Sequence, residues 1–67
     1  MFQVDSKKIR DSMFKKKLNI ATLAKLAKLT EKTVASLLNG SKANAATIGK
    51  LADALDCNGE DLLLKEV

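Results

Sequence analysis

Apolar residues recur along the chain at the three- and four-residue spacing that places side chains on one face of a helix. The stripes predicted to face a core are Ile9, Met13 and Leu18 with Phe14 beside them, Leu23 with Ala24 and Ala27, Val34 with Leu37 and Leu38, and Ile48 with Leu51, Ala52 and Leu55. Mostly polar and charged residues stand between them. This pattern predicts short amphipathic helices.

Residues that start and stop helices separate the stripes. Ser, Thr, Asn and Asp side chains accept hydrogen bonds from the first N–H groups of a helix, and glycine readily takes the left-handed conformation that ends one. The predicted helices are a first that begins near Asp5 or Ser6 and runs to about Lys17, a second over Ile20 to Ala27 capped by Asn19, a third from Glu31 to about Asn39 capped by Thr30, a fourth to about Leu55 capped by Asn44, and a short fifth capped by Asn58. Asn39-Gly40 marks a strong stop, and the second helix can end at Lys28 without a positive φ.

Length and composition favour a single all-α domain over residues 1–67. Each half of a 67-residue chain would be too small to support a core of its own. Leucine and alanine supply 20 of the 31 apolar residues, and only two residues are aromatic. This composition favours helices and has too few β-branched and aromatic residues for a sheet. Five short helices around one core are therefore predicted.

The rarer residue types exclude several kinds of chemical site. Histidine is absent and Cys57 is the single cysteine, so an internal disulfide, a structural zinc site and histidine-based catalysis are excluded. Cys57 is best interpreted as a small buried hydrophobe. Neither a leader sequence nor a membrane-spanning run is apparent. We expect a soluble cytoplasmic protein that is not an enzyme and needs no metal or cofactor.

Charge is distributed unevenly along the chain. Residues 1–42 carry ten lysines and arginines against three carboxylates, whereas residues 43–67 carry two lysines against five carboxylates. A basic N-terminal part and an acidic C-terminal part indicate that a polyanion binds one side of the molecule. The alternative is a solvated surface whose charges happen to be lopsided.

The segment from Asn19 to Gly40 describes a compact unit of two helices joined by a short turn. Ala24 is small where two helices of a helix-turn-helix would cross closely. Leu29 in the turn can fill the space between them, and Val34 and Leu37 can pack the second helix against the first. The exposed face of that second helix is short and polar.

Three segments in order carry a resemblance to a known family: KKIRDSMFKKKLN, ATLAKLAKLTEKTVASLLNG and ATIGKLADALDCNGEDLL. Together they resemble the Cro/CI, or lambda-repressor-like, helix-turn-helix regulators of bacteria and phages, over about residues 7–64. The chain departs from the family pattern at Lys28, where glycine is frequent, at Ile20, where glutamine is frequent, and at Ala43-Asn44, where proline is frequent. The resemblance implies a compact lambda-repressor-like domain encoded by a bacterium or a phage.

The resemblance also implies a set of DNA contacts, with the helix over residues 31–39 in the major groove of double-stranded DNA. The residues implied to contact bases are Glu31, Lys32, Thr33 and Ser36, and those implied to contact phosphates are Arg10, Asn19, Lys28, Asn39, Ser41 and Lys42. Other roles stay open for several of them. Glu31 can serve the helix dipole, Lys32 can bind a phosphate or be solvated, and Asn39 can act only as a helix stop.

A single recognition helix reads too few base pairs to select one site, so a homodimer on DNA is expected. The acidic C-terminal third is the part least suited to face DNA, and the predicted interface residues are Leu62, Leu63, Leu64 and Val67. Closure of the core is the alternative role for these residues. The predicted function is sequence-specific transcription regulation, with repression expected; the alternative is an antitoxin-like or partner-regulated protein-interaction module on the same fold.

Overall fold

Four α-helices, one 3-10 turn and a small antiparallel sheet make up the fold in the computed structural model, which describes residues 1–64. The elements in chain order are β1 (Phe2–Gln3), α1 (Ser6–Lys16), α2 (Ile20–Ala27), α3 (Glu31–Leu38), β2 (Lys42–Ala43), α4 (Ala45–Leu55) and the 3-10 turn (Gly59–Leu62). The four α-helices agree with the predicted bounds to within a residue or two. None of them is long and apolar enough to cross a membrane.

Side-chain caps start the helices at the predicted positions. The Oδ1 of Asn19 accepts a hydrogen bond from the Thr22 N–H at 2.8 Å, and the Oδ1 of Asn44 accepts one from the Thr47 N–H at 2.8 Å. At α1, Asp5 accepts from two N–H groups in the first turn. Because these contacts are local, the first residue of each helix can be predicted from the sequence.

The prediction of a fifth helix is wrong, because the last element is a 3-10 turn of four residues. Asn58 begins it as predicted, and the Asn58 N–H donates to the Asp61 carboxylate at 3.3 Å. Leu63 then takes an extended backbone, with φ −81° and ψ 139°, and pairs with Val4. The pairing with the N-terminal segment draws the chain out of helical geometry.

The two-stranded sheet is a second correction to the all-α prediction. β1 pairs antiparallel with β2, with Phe2 opposite Ala43 and Gln3 opposite Lys42. On its other side the same N-terminal segment holds the C-terminal one: the Asp5 N–H donates to the Leu62 carbonyl at 2.7 Å, and the Leu64 N–H donates to the Gln3 carbonyl at 2.9 Å. Composition argued against a sheet, but these pairs need few residues because the surrounding helices hold the strands in place.

The core consists of the predicted stripes together with Val4, Ala43 and Leu62, which the helical pattern did not include. Leu23 and Leu51 are completely buried. Phe14 is the exception among the predicted stripes, because 86% of its surface is exposed although it stands beside buried Met13.

Candidate nucleic-acid interface

The turn between α2 and α3 has the tight geometry that the sequence predicts. Ala24 is 3% exposed in the middle of α2, where a larger side chain would push α3 away. Leu29 packs partly buried against the core from the turn. α3 is thereby held against α2 along its apolar stripe, and its opposite face is left at the surface.

Lys28 ends α2 in the left-handed region, with φ 58° and ψ 41°, so the helix does not end here in the way the sequence allowed, without a positive φ. The Lys28 N–H donates to the Lys25 carbonyl and the Leu29 N–H to the Ala24 carbonyl at 2.8 Å. These two bonds satisfy carbonyls at the end of the helix, and they require a left-handed residue between helix and turn. Lysine therefore occupies the conformation that glycine takes more easily.

The outward face of α3 carries the residues that resemblance assigned to bases. Glu31 and Lys32 are exposed in its first turn, and Ser36 is half-buried one turn later. Thr33 is also half-buried, and its hydroxyl lies 2.8 Å from the hydroxyl of the capping residue Thr30. Glu31 and Lys32 are thus fully presented, whereas the Thr33 hydroxyl is already engaged in the cap.

A left-handed glycine closes α3 and aims the following loop. Gly40 has φ 98°, which side chains rarely tolerate, and the Ser41 N–H donates back to the Ser36 carbonyl at 3.0 Å. Ser41 and Lys42 follow directly and are exposed. The turn therefore presents a hydroxyl and an ammonium group just beyond the end of α3.

Arg10 holds the same end of α3 from outside. Its Nη2 donates to the Leu38 carbonyl at 3.1 Å, across 28 residues of sequence. A guanidinium has five N–H donors, so this bond leaves donors for other acceptors. The structure gives Arg10 a positioning role that sequence reasoning did not anticipate.

Gln3 is a second positioning residue, and sequence reasoning missed it. Its Nε2 donates to the Gly40 carbonyl at 2.7 Å, while its backbone lies in β1 opposite Lys42. The short alternation of apolar Phe2 and Val4 with polar Gln3 and Asp5 is the sequence signal that could have indicated this strand. Arg10 therefore holds the end of α3, and β1 holds the loop that follows it.

Of the residues assigned to phosphates, several lie together and one lies apart. Arg10 and Asn39 line the same groove, together with Ile20, which follows Asn19 at the start of α2. Lys28 lies at the other end of α2, about 12 Å along the helix axis. It is exposed there beside the first turn of α3.

The residues assigned to a dimer interface differ in how deeply they are buried. Leu62 is 1% exposed and belongs to the core, so it offers no surface to a partner. Leu63 is half-buried and Leu64 is 50% exposed, while Val67 lies outside the described residues. Leu63 and Phe2 line an apolar hollow of about 210 Å³ against the first half of α4.

Cys57 lies half-buried just after α4 and packs against the core. Burial raises the pKa of its thiol above the ordinary value, and the carboxylates of Asp61 and Asp56 raise this pKa further. The thiol is accordingly protonated at neutral pH, which is unfavourable for a nucleophile. This environment agrees with a packing role for Cys57.

Several solved structures have the same fold as this chain. The restriction-modification controller protein C.AhdI from Aeromonas hydrophila is 30% identical, with a TM-score of 0.80, over 87% of this chain and 89% of that chain. A hydroxyethylphosphonate dioxygenase variant and native PhpD are each 26% identical over 97% of this chain, with TM-scores of 0.84 and 0.81. The matched part is only 14% of each of those two longer chains. No curated protein matches the sequence.

The sequence itself matches a defined family over most of its length. Residues 8–64 match the Cro/C1-type HTH DNA-binding domain. The matched range contains α2, its turn and α3, which carried the predicted resemblance. That prediction is confirmed: the chain belongs to the Cro/C1-type helix-turn-helix DNA-binding family.

Proposed function

We propose that this chain is a sequence-specific regulator of transcription that binds double-stranded DNA as a homodimer, with α3 in the major groove. The observation that carries the proposal is the polar outward face of α3, with Glu31 and Lys32 exposed on a helix whose other face is buried. A rigidly packed helix of this kind can place side chains against base edges. The controller-protein relative supports a regulatory role.

The chemistry of the face suits base reading. A lysine donates to the O6 and N7 of guanine, a glutamate accepts from the N4 amine of cytosine, and a hydroxyl reads either kind of group. Lys32, Glu31 and Ser36 supply these three groups within two turns of α3. Thr33 assists mainly by fixing the first turn through its contact with Thr30.

Phosphate contacts would hold the domain in register. Lys28 and Lys42 supply cations on either side of α3, and Asn19, Asn39 and Ser41 supply polar groups near its far end. Arg10 completes the set through the donors that its bond to α3 leaves available. Such contacts fix orientation on the duplex without reading sequence.

Dimerisation is assigned to the apolar surface formed by Phe2, Leu63 and Leu64, with Val67 as the sequence-based addition. Phe2 is 48% exposed and lines the hollow against α4 together with Leu63, and the next residue, Leu64, is 50% exposed. Burying these side chains against a second copy would remove apolar surface from water. The two recognition helices would then meet half-sites roughly 34 Å apart.

Selection from random duplex DNA at about 0.15 M salt, followed by sequencing of the retained fragments, tests the proposal. We expect an enriched two-fold symmetric site whose half-site centres are about one helical turn apart. Retention that depends on salt but enriches no motif would contradict sequence reading, since it would reflect phosphate binding alone.

Repression requires a further experiment with the selected site. We expect a reporter promoter overlapped by this site to be silenced when the chain is expressed. The same site placed upstream of the promoter serves as the control and should leave expression unchanged. Increased expression from either arrangement would contradict repression.

A partner-binding module is the second candidate function, and the exposure of Phe14 favours it. Phe14 is 86% exposed and borders an apolar depression together with Ile20, and contiguous exposed apolar surface can mark a protein-interaction site. A protein partner could modulate DNA binding or replace it as the main function. A chain that enriches no DNA motif but binds a protein through this residue would support the second candidate over the first.

A further inference from the structure

The peptide group between Gly40 and Ser41 is held from two sides. Its carbonyl oxygen, on Gly40, accepts a hydrogen bond of 2.7 Å from the Nε2 of Gln3. Its N–H, on Ser41, donates to the Ser36 carbonyl at 3.0 Å. Both polar groups of one peptide are therefore bonded, one to the N-terminal strand and the other to α3, and a rotation of the peptide plane would break both bonds.

Gly40 makes this restraint important. A glycine has no side chain to limit rotation about its backbone bonds, and Gly40 has the left-handed φ of 98°. A Cβ placed at this position would meet no atom within 4 Å, so packing around the residue does not restrain it either. The orientation of the loop after α3 is thus set by hydrogen bonds rather than by steric contact.

Gln3 is itself firmly anchored, so it can serve as a fixed point for this loop. Its neighbour Val4 is 2% exposed in the core. The Gln3 carbonyl accepts from the Leu64 N–H at 2.9 Å, and the Gln3 backbone pairs with Lys42 in β2. The side chain of Gln3 extends this pairing back by two residues, to Gly40.

The residues held in this way include two of the proposed phosphate contacts. Ser41 and Lys42 directly follow Gly40, and both are exposed. Phosphate contacts fix the register of a protein on the duplex, and a loop that is ordered beforehand loses less conformational freedom when it binds. The order of this loop therefore affects DNA affinity even where Gln3 does not touch DNA.

We propose that Gln3 is a positioning residue for DNA binding, which orients Ser41 and Lys42 toward the phosphates through its bond to the Gly40 carbonyl. This inference rests on the proposed function, because it concerns contacts of the same surface. It differs from a direct contact, in which the Gln3 amide itself would donate to a phosphate, and from a contribution to stability alone.

A double-mutant cycle on DNA affinity distinguishes positioning from direct contact. Gln3→Met removes the donor, keeps an unbranched side chain of similar length, and should lower affinity for the selected site about threefold to tenfold, the usual cost of ordering one or two mobile residues. In the Lys42→Ala background the same substitution should lower affinity less than about twofold, because the contact that Gln3 positions is already absent. Equal losses in the two backgrounds would overturn the proposal, since a direct contact acts independently of Lys42.

Ala54→Gly is the matched control for stability, because it weakens α4 in the acidic part of the chain without a change of charge. It should lower the melting temperature at least as much as Gln3→Met does and leave DNA affinity unchanged. Both affinities are measured at a temperature where thermal melting shows the variants to be folded. An equal loss of DNA affinity in the two variants would assign Gln3 to stability alone and overturn the proposal.

NMR relaxation of the free chain provides a measurement that does not require DNA. In Gln3→Met, the backbone order parameters of Ser41 and Lys42 should fall from about 0.85 to below about 0.6, whereas those of α2 should be unchanged. Unchanged order parameters in the loop would overturn this proposal and leave the proposed function intact. Failure of the unchanged chain to bind any selected site would instead overturn the proposed function, and this proposal with it.

Discussion

Three of the described helices end on a residue other than glycine whose backbone lies in the left-handed region. Lys17, Lys28 and Asp56 have φ between 56° and 58°, at the ends of α1, α2 and α4. Such a conformation costs a non-glycine residue roughly 1–2 kcal/mol. The hydrogen bonds that close each helix, such as that from the Leu29 N–H to the Ala24 carbonyl, offset this strain.

Lys28→Gly should therefore stabilise the domain. The substitution relieves the left-handed strain but makes the unfolded chain more flexible, which costs free energy of folding. The strain is the larger of the two by about 0.5–1 kcal/mol. The expected rise in melting temperature is about 4–8 °C per kcal/mol for a domain of this size. DNA affinity should fall at the same time, because a cation beside α3 is lost.

Lys17→Gly is the matched control, since Lys17 has the same backbone geometry at the end of α1 and is not among the proposed DNA contacts. It should raise the melting temperature to a similar extent and leave DNA affinity nearly unchanged. Unchanged or lower melting temperatures in both variants would contradict the strain argument.

The thiol of Cys57 should react slowly with iodoacetamide at pH 8. Burial and the carboxylates of Asp61 and Asp56 raise its pKa, which lowers the thiolate fraction. Asp61→Asn should lower the pKa and speed the reaction, whereas Glu60→Gln should not. Because the folded-state pKa is raised, the linked stability is present below the unfolded pKa and is lost as pH rises through the folded value. Equal rates for the native chain and both variants would refute this.

At the scale of elements, the four α-helices were predictable because each begins with a cap and carries its own apolar stripe. Asn19 and Asn44 bond to N–H groups three residues away, so sequence alone contains the signal. The last element depends instead on Val4, which pairs with Leu63 from the other end of the chain. A contact across about the whole length of the chain leaves little trace in a local pattern.

The candidate site was predictable to a similar degree. Helical spacing indicated correctly that Glu31 and Lys32 face outward, because Val34 and Leu37 face the core. It could not show that Arg10 reaches the Leu38 carbonyl. That contact depends on how α1 packs on α3, and no spacing within one helix encodes this.

The crossing of α2 and α3 should tolerate no larger side chain at Ala24. This residue is 3% exposed, so Ala24→Leu should overpack the interface and cost about 1–3 kcal/mol. Ala21→Leu, at an exposed position of the same helix, is the matched control and should be nearly neutral. Thermal melting measures both. Similar melting temperatures for the two variants would mean that the helices do not cross at Ala24.

Base preference should reside in α3. Lys32→Ala and Ser36→Ala should each relax preference at one position of a half-site, with an effect of about 1–3 kcal/mol for a good base contact. Lys25→Ala removes a cation from the exposed side of α2 and should leave preference intact. Selection and sequencing with each variant measures this. A preference profile that is identical in all four proteins would remove α3 from base reading.

At the scale of the whole molecule, the basic and acidic parts of the chain have separate tasks in the proposed function. Lys42 belongs to the basic part and lies in β2, whereas Lys50 lies on α4 among the acidic residues. DNA affinity should fall with rising salt, with a logarithmic slope of about 0.9 for each phosphate contact.

Lys42→Ala should therefore reduce that slope by about 1 for each subunit bound and should weaken all sequences alike. Lys50→Ala changes the net charge equally and should leave the slope nearly unchanged. Affinities for the selected site and for a scrambled site, measured across a salt series, provide the comparison. Equal changes in both variants would show that net charge, rather than contact, governs binding.

The N-terminal strand β1 links the surface proposed to bind DNA to the surface proposed to bind a second subunit. β1 is hydrogen-bonded to the loop after α3 on one side and to the segment of Leu63 and Leu64 on the other. Either surface is therefore completed only when the same strand is in place. A ligand that binds one surface holds the strand there and so reduces the entropy that the other ligand must overcome. For the proposed homodimer, thermodynamic reciprocity then requires that operator DNA promote pairing of two subunits as strongly as pairing promotes binding of DNA.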